Sequence, residues 1–247
     1  MIAALLIGRE GSVGYPGKNV SRVLGRPLMS YPLLAAQGSP LVDQVFVSTD
    51  SLRIKGIARN YGATILDRPD TLATPEALGE DVFVHGYQCI QQQVRLDGHD
   101  LELLVLLCCN AATVTADLID RGIGMLRENP SYDSAVSVSQ YNMWSPLRAR
   151  KIGDDGLLHP FVPFETFGDP ATLTCDRDSQ GPVYFADMGV MVVRPRCFDG
   201  LAHGLLPQRW MGQHIYPLIQ WGGLDVDYAW QVPQVEYWLR QHGWETA

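Results

Sequence analysis

The sequence predicts an α/β fold: a mostly parallel central sheet flanked by helices, of the Rossmann type, with a small protruding β-rich insertion. Three observations predict it. Short apolar runs, at residues 2–7, 44–49 and 101–109, with Glu102 near the start of the last as their one charge, read as strands buried on both faces, as parallel sheets require. Stretches with helical spacing alternate with them. The chain has 247 residues and 46% hydrophobic content, enough for one large α/β domain with a subdomain.

The first strand, residues 2–7, ends at Gly8 and runs into Arg9, Gly11, Ser12, Gly14, Pro16, Gly17, Lys18 and Asn19. Glycines permit positive φ and let backbone N–H groups approach an anion. Arg9 and Lys18 bracket the loop with positive charge. A strand that leads into such a loop is a place for phosphates, and equally an ordinary glycine-rich turn. It is not a Walker A loop, which needs a glycine where Ser12 stands and a Ser or Thr where Asn19 stands. Glycines at 11, 14 and 17 also miss the dinucleotide-binding spacing.

Further along, residues 28–37 have helical spacing, stopped by Gly38. Residues 44–50 form a second buried strand ending in Asp50. Residues 51–61 read as a helix with Ser51 near its N-cap and Gly62 beyond its end. A third strand at 63–66 follows. In such sheets ligands sit beyond the carboxyl ends of the strands. The glycine loop, Asp50 and residues 67–69 would share that edge. Residues 76–95 form a long amphipathic helix, and 101–109 is the most apolar strand, placed centrally. A helix at 117–129 ends at Pro130, and a strand covers 134–140. From 141 to 183 the chain turns rich in Pro, Gly, Asp and aromatics. That stretch reads as an insertion with small strands, inside a single domain spanning 1–247. Strands at 188–195 and 214–219, a Gly222-Gly223 turn and a helix at 231–240 complete the chain.

Asp225 and Asp227 stand at i and i+2 on an extended stretch, so they point the same way. Like charges that close repel unless a cation lies between them. Mg²⁺ takes hard oxygen ligands, typically one or two carboxylates with phosphate oxygens and water. The pair therefore suits a metal, or alternatively Asp227 caps the last helix.

The net charge of −8 argues against general nucleic-acid binding. No apolar run approaches a membrane span, and the apolar N-terminus lacks the basic start of a signal peptide. Five cysteines without a C-x-x-C pair suggest reduced thiols in a cytoplasmic protein and no structural zinc.

The segment from Arg9 to Asn19 resembles the N-terminal signature of the CMP–sialic acid synthetase (acylneuraminate cytidylyltransferase) family. Arg68-Pro-Asp-Thr-Leu-Ala73 matches that family's Arg-Pro-x-x-Leu-Ala segment, and Asp225-x-Asp227 its acidic pair before the last helix. The resemblance implies CTP as substrate, Mg²⁺ on Asp225 and Asp227, and transfer of CMP to the hydroxyl of an acidic acceptor. It implies nucleotide contacts at Arg9, Gly11, Ser12, Gly14, Lys18, Asn19, Arg68 and Ala77, with Arg9, Lys18 and the two aspartates catalytic. Arg68 could instead pair with Asp67 or Asp70. The resemblance also implies a homodimer formed through the insertion, and acceptor contacts from Cys108, Asn110, Gly189, Arg148 and Arg177. Those two arginines could equally form solvent-facing salt bridges. The acceptor side departs from the family pattern: Cys108 replaces a glutamine, Val114 an arginine and Met188 an asparagine. An acceptor other than an ordinary sialic acid, such as a phosphonate, or a silent nucleotide-binding homologue, remains open. His85, His159 and His214 read as structural or surface residues.

Overall fold

The computed structural model describes all residues except Arg177, Ser179, Gln180 and Ala247. Strand β1 (Ile2–Ile7) is followed by a miniature hairpin, β2 (Arg22–Val23) and β3 (Arg26–Pro27). Then come α1 (Ser30–Gly38), β4 (Gln44–Thr49), α2 (Leu52–Asn60), β5 (Thr64–Asp67), α3 (Gly79–Leu96), β6 (Leu103–Cys108) and α4 (Ala116–Glu128). Strand β7 (Ser134–Gln140) leads into the insertion, which holds β8 (Arg150–Ile152) and β9 (Leu158–Pro160). Strand β10 (Tyr184–Val193), the one-turn α5 (Arg196–Asp199), β11 (Ile215–Gln220) and α6 (Val232–Gln241) follow.

The main sheet has the order β11-β7-β10-β6-β1-β4-β5. All its pairings are parallel except those of β10, which runs antiparallel to β6 and β7. The fold class and mostly parallel sheet expected from the apolar runs are observed. Alternation along the strands splits the core in two. Ala4, Leu6, Val47 and Val105 face α1, α2 and α4, while Leu5, Phe46, Leu104 and Leu106 face α3 and α5. Ser51 caps α2 by accepting from the Ile54 amide, as its position suggested. A third cluster joins Tyr31, Val226, Val235, Trp238 and Leu239. It seats α6 and the preceding loop against the β2–β3 hairpin.

Three stretches differ from the periodicity-based reading. The long helix begins at Gly79 rather than residue 76, because Thr74 to Ala77 close a turn instead. In the insertion the alternating piece at 147–152 is a strand only from Arg150, being preceded by a 3₁₀ turn at Pro146–Arg148. The strand expected at 188–195 starts at Tyr184. Its pairing with β7 slips between Ala186 and Met191, and Met188 takes φ +58°. Such a bulge breaks the alternation on which the expectation rested. Among the described residues, no helix is long and apolar enough to cross a membrane.

Candidate active site

The carboxyl ends of β1, β4, β5 and β6 meet at one sheet edge, and the chain after β11 returns across it. Gly8 turns the backbone out of β1 where a Cβ would lie 2.7 Å from the Cys109 sulfur and 3.3 Å from Asn19 Nδ2. Buried Asn19 ties the loop shut. Its amide donates to the Arg9 carbonyl (3.1 Å), and its own carbonyl accepts from the Met29 amide (2.9 Å). Gly17, at φ +73°, precedes a 3₁₀ turn carrying Lys18 and Asn19.

The cationic side of this cradle comes from three residues. Arg9 Nη1 is buried without a hydrogen-bond partner among the described residues. A buried donor left unpaired is costly, so its chemistry suits an anionic oxygen. Arg68 is 7% exposed and donates from Nη2 to the Ser48 carbonyl (2.7 Å). It therefore does not pair with Asp67, which binds Lys55 at 2.8 Å. Burial lowers the Arg68 pKa from its ordinary value, the charge of Asp50 opposes that shift, and neighbouring Arg9 adds to it. Two guanidinium groups thus lie near one another at the end of β4 and β5, an arrangement that draws in anions.

Lys18 provides the third cation. Its Nζ lies 2.6 Å from Asp227 Oδ1 and is mostly buried, whereas the Asp227 side chain is 55% exposed. This contact, across 209 positions of sequence, brings the N-terminal loop and the C-terminal acidic pair into one place. Gly14 reinforces it: a Cβ there would lie 2.8 Å from the Asp227 carbonyl and 3.1 Å from the Tyr228 ring. Asp227 does not cap the last helix, whose N-cap position is Gln231. The Gln231 side chain instead reaches back to fix the acidic segment, accepting from the amides of Asp227 (2.7 Å) and Tyr228 (2.8 Å).

Asp225 and Asp227 sit on irregular backbone, not on a strand, with fully buried Val226 between them. The Val226 amide bonds the Asn110 carbonyl (2.9 Å). Asn110 Nδ2 donates to the Val226 carbonyl (3.1 Å) and to Asp225 Oδ2 (3.3 Å). Leu224 is held at both its amide and its carbonyl by the Thr113 hydroxyl. Burial and then the Asp227 charge raise the Asp225 pKa, while Lys18 and Asn110 oppose that rise. Two crowded carboxylates, one of them exposed, fit a hard divalent cation. Among the described residues, no group of three or more His, Cys, Asp and Glu side chains converges on a metal position. Further ligands would have to be substrate oxygens, water or the Asn110 carbonyl oxygen.

The acceptor-side residues are placed less uniformly. Cys108 lies beside Asp225 and Lys18, and burial with the Asp225 charge pushes its thiol up to about 12. It is a neutral, packed side chain. Asn110 spends its amide on the acidic segment. Gly189 approaches buried side chains: a Cβ would meet Asp187, Gln220 and Ser137, each at 3.2 Å. Its close approach is to an internal polar cluster, a reason that β-strand spacing did not reveal. Arg148 lies in the insertion, where it donates to the Cys175 carbonyl (2.8 Å) and lines a cavity of about 680 Å³ with Arg150 and Phe164. Arg177 lies outside the described residues. Gly11 is open to solvent, Ser12 half-exposed, and Ala77 ends the turn before α3. His159 pairs with Asp155 in the insertion and exposed His214 lies near Asp133, away from the acidic pair.

Sequence reasoning missed Asp187. It is 6% exposed on the β10 bulge and accepts from Ser139 Oγ (2.7 Å), Gln220 Nε2 (2.9 Å), the Gly189 amide (3.1 Å) and Ser137 Oγ. The available signal was a pair of serines, 137 and 139, on one face of an otherwise apolar strand.

This architecture is shared with solved structures that use the same sheet. The CMP:2-keto-3-deoxy-manno-octonic acid synthetase complexed with CTP superposes with TM-score 0.67 at 14% identity, covering 98% of this chain and 99% of that one. The 4-diphosphocytidyl-2C-methyl-D-erythritol synthase of Anaerococcus prevotii gives TM-score 0.62 at 12% identity over 97% and 96%. At such identities these likenesses show the fold class alone.

Sequence comparison goes a step further. Residues 3–83 match the family model described as Cytidylyltransferase. The N-acylneuraminate cytidylyltransferase of Escherichia coli is 30% identical over 146 residues, 59% of this chain and 33% of that protein. The pseudaminic acid cytidylyltransferase of Campylobacter jejuni is 31% identical over 120 residues, 48% of each chain. The matches thus span about a third to a half of these relatives. The resemblance is to the CMP–sialic acid synthetase-like cytidylyltransferases, as the glycine-loop and Arg-Pro segments suggested.

Proposed function

We propose that the protein is a CTP-dependent cytidylyltransferase. It would transfer CMP to the hydroxyl of an acidic acceptor, a nonulosonic or related 2-keto-deoxy sugar acid, with release of pyrophosphate. The observation that carries this reading is the Lys18–Asp227 contact, which joins the cationic loop to the acidic pair. Phosphoryl and nucleotidyl transfer depend chiefly on positioning and charge neutralisation. Arg9 and Lys18 would neutralise the triphosphate, with Arg9 Nη1 finding its missing acceptor there. Asn19 would fix the loop, and Arg68 would hold the nucleoside side. Asp225 and Asp227 would hold Mg²⁺. Bound there, the ion would neutralise phosphate charge and lower the pKa of the attacking hydroxyl.

The homodimer belongs to the same reading. Met143, Trp144, Ile152, Leu158 and Phe161 of the insertion are all exposed. Apolar side chains gathered on a protruding piece are what a partner surface buries.

Binding of CTP, ATP, GTP and UTP, each with Mg²⁺, measured by calorimetry, tests the nucleotide; equal affinities would overturn the CTP assignment. Lys18→Ala removes a charged contact worth about 1.5–3 kcal/mol, so CTP affinity should fall about 10- to 100-fold. A panel of acid acceptors assayed for pyrophosphate then tests the reaction. A second reading is favoured by Cys108, Val114 and Met188: Val114 is packed in the core and Cys108 is neutral. The acceptor would then be a smaller acid such as a phosphonate, and that same panel separates the two. CTP binding with no pyrophosphate from any acceptor would favour a silent homologue.

A further inference from the structure

We propose that Asp187 is a positioning residue for the acidic pair: through Ser139 and Gln220 it fixes the Gly222–Gly223 turn from which Asp225 and Asp227 are presented. The inference rests on the reading of that pair as a metal site.

Asp187 belongs to the buried bulge of β10 and touches neither aspartate in the pair. Its Oδ1 accepts from Ser137 Oγ and the Gly189 amide, and its Oδ2 from Ser139 Oγ and Gln220 Nε2. All four partners are donors, so a carboxylate satisfies them and an amide cannot. Ser139 Oγ passes the constraint on, accepting from the Gly223 amide at 2.9 Å. The Gly223 carbonyl is fixed as well, accepting from Tyr141 Oη at 3.0 Å. A Cβ on Gly223 would lie 2.2 Å from Asp187 Oδ2, so the turn is seated directly on the carboxylate. Gln220 Nε2 also reaches the Thr113 carbonyl (3.4 Å), and the Thr113 hydroxyl holds Leu224. The cluster therefore spans the ends of β6, β7, β10 and β11. It sets the backbone two residues before Asp225. A buried polar cluster with every member paired is rigid, and outer hydrogen bonds of this kind typically govern metal affinity.

The test is Mn²⁺ binding in the presence of CTP, followed by the electron paramagnetic resonance signal of free Mn²⁺. Asp187→Asn and Ser139→Ala should each weaken Mn²⁺ binding about tenfold. CTP affinity without metal should be unchanged in both. Val94→Ala, in the core of α3, serves as the destabilised control and should keep wild-type Mn²⁺ affinity. If Asp187→Asn does not fold, Ser139→Ala decides alone, because it removes only the hydroxyl that joins Asp187 to Gly223 and leaves the carboxylate with its other three partners. Wild-type Mn²⁺ affinity in the folded variants would overturn the proposal, as would an equal loss in Val94→Ala. Equal binding by wild type and Asp225→Asn would instead show that the acidic pair is no metal site, and the proposal would fall with that reading.

Discussion

At the scale of single residues, the site is held by charges that do not fully cancel. Asp225 is the clearest case. Burial and the neighbouring Asp227 raise its pKa in the folded chain. The folded state therefore holds that proton more tightly than the unfolded one. Its contribution favours folding below the ordinary carboxylate range and is lost as pH rises through the raised value. At neutral pH, Asp225→Asn should raise the melting temperature of the metal-free protein by a few degrees, and the gain should vanish in acid. The asparagine keeps an oxygen for the Asn110 amide, so the hydrogen bond survives. Thermal melts at two pH values check this, and an unchanged or lowered melting temperature at neutral pH would refute it. The same substitution should abolish metal-dependent activity, so stability and function would move in opposite directions at one side chain.

Among elements, the decisive contact lies between two irregular segments, the loop after β1 and the segment after β11. The first carries a single 3₁₀ turn at Lys18–Val20, and the second has no regular secondary structure around the acidic pair. The loop depends on Asn19 and the Gly8 turn, the segment on Asn110, Thr113 and Gln231. Gly14 is where they touch, with its missing side chain facing the Asp227 carbonyl. Gly14→Ala should push the two segments apart. Displacements of about 1 Å at a reacting site cost about 10²-fold in rate. Because Gly14 is exposed, the melting temperature should hardly move. Steady-state kinetics with CTP beside a thermal melt would separate the two effects, and wild-type turnover would show that the contact is incidental.

For the molecule as a whole, the buried core and the exposed apolar surface of the insertion belong to different regions. The two-faced sheet carries the core. Leu5, fully buried beneath α3 and pressed against Gly86, sits at its centre. Leu5→Ala should cost about 2–5 kcal/mol in denaturant unfolding, with a cavity left behind. A cost below about 1 kcal/mol would mean that α3 collapses onto the gap. The insertion carries little core and much exposed apolar surface. Phe161→Asp should shift sedimentation from dimer to monomer while leaving the melting of the sheet domain nearly intact. A wild-type monomer would remove the assembly from the proposed function.

The parallel sheet was legible because strands buried on both faces must be continuously apolar, and residues 2–7 are, as are 103–109 within the stretch 101–109. Helix α2 and its Ser51 cap were legible because capping is local chemistry. The basic glycine loop and the acidic pair stood out as short motifs, because composition states local charge and flexibility, while the nucleotide roles of their residues came only from the family resemblance. By itself, then, the sequence determined the fold class, the succession of strands and helices along the chain and the kinds of charge at the sheet edge. Only the tertiary structure decided which of those charges meet. Lys18 and Asp227 are 209 positions apart, Asn110 turned out to hold the acidic segment, and Asp187 was hidden in a bulge that breaks strand alternation. Periodicity reports local geometry, whereas a contact between distant segments depends on where the whole sheet brings them.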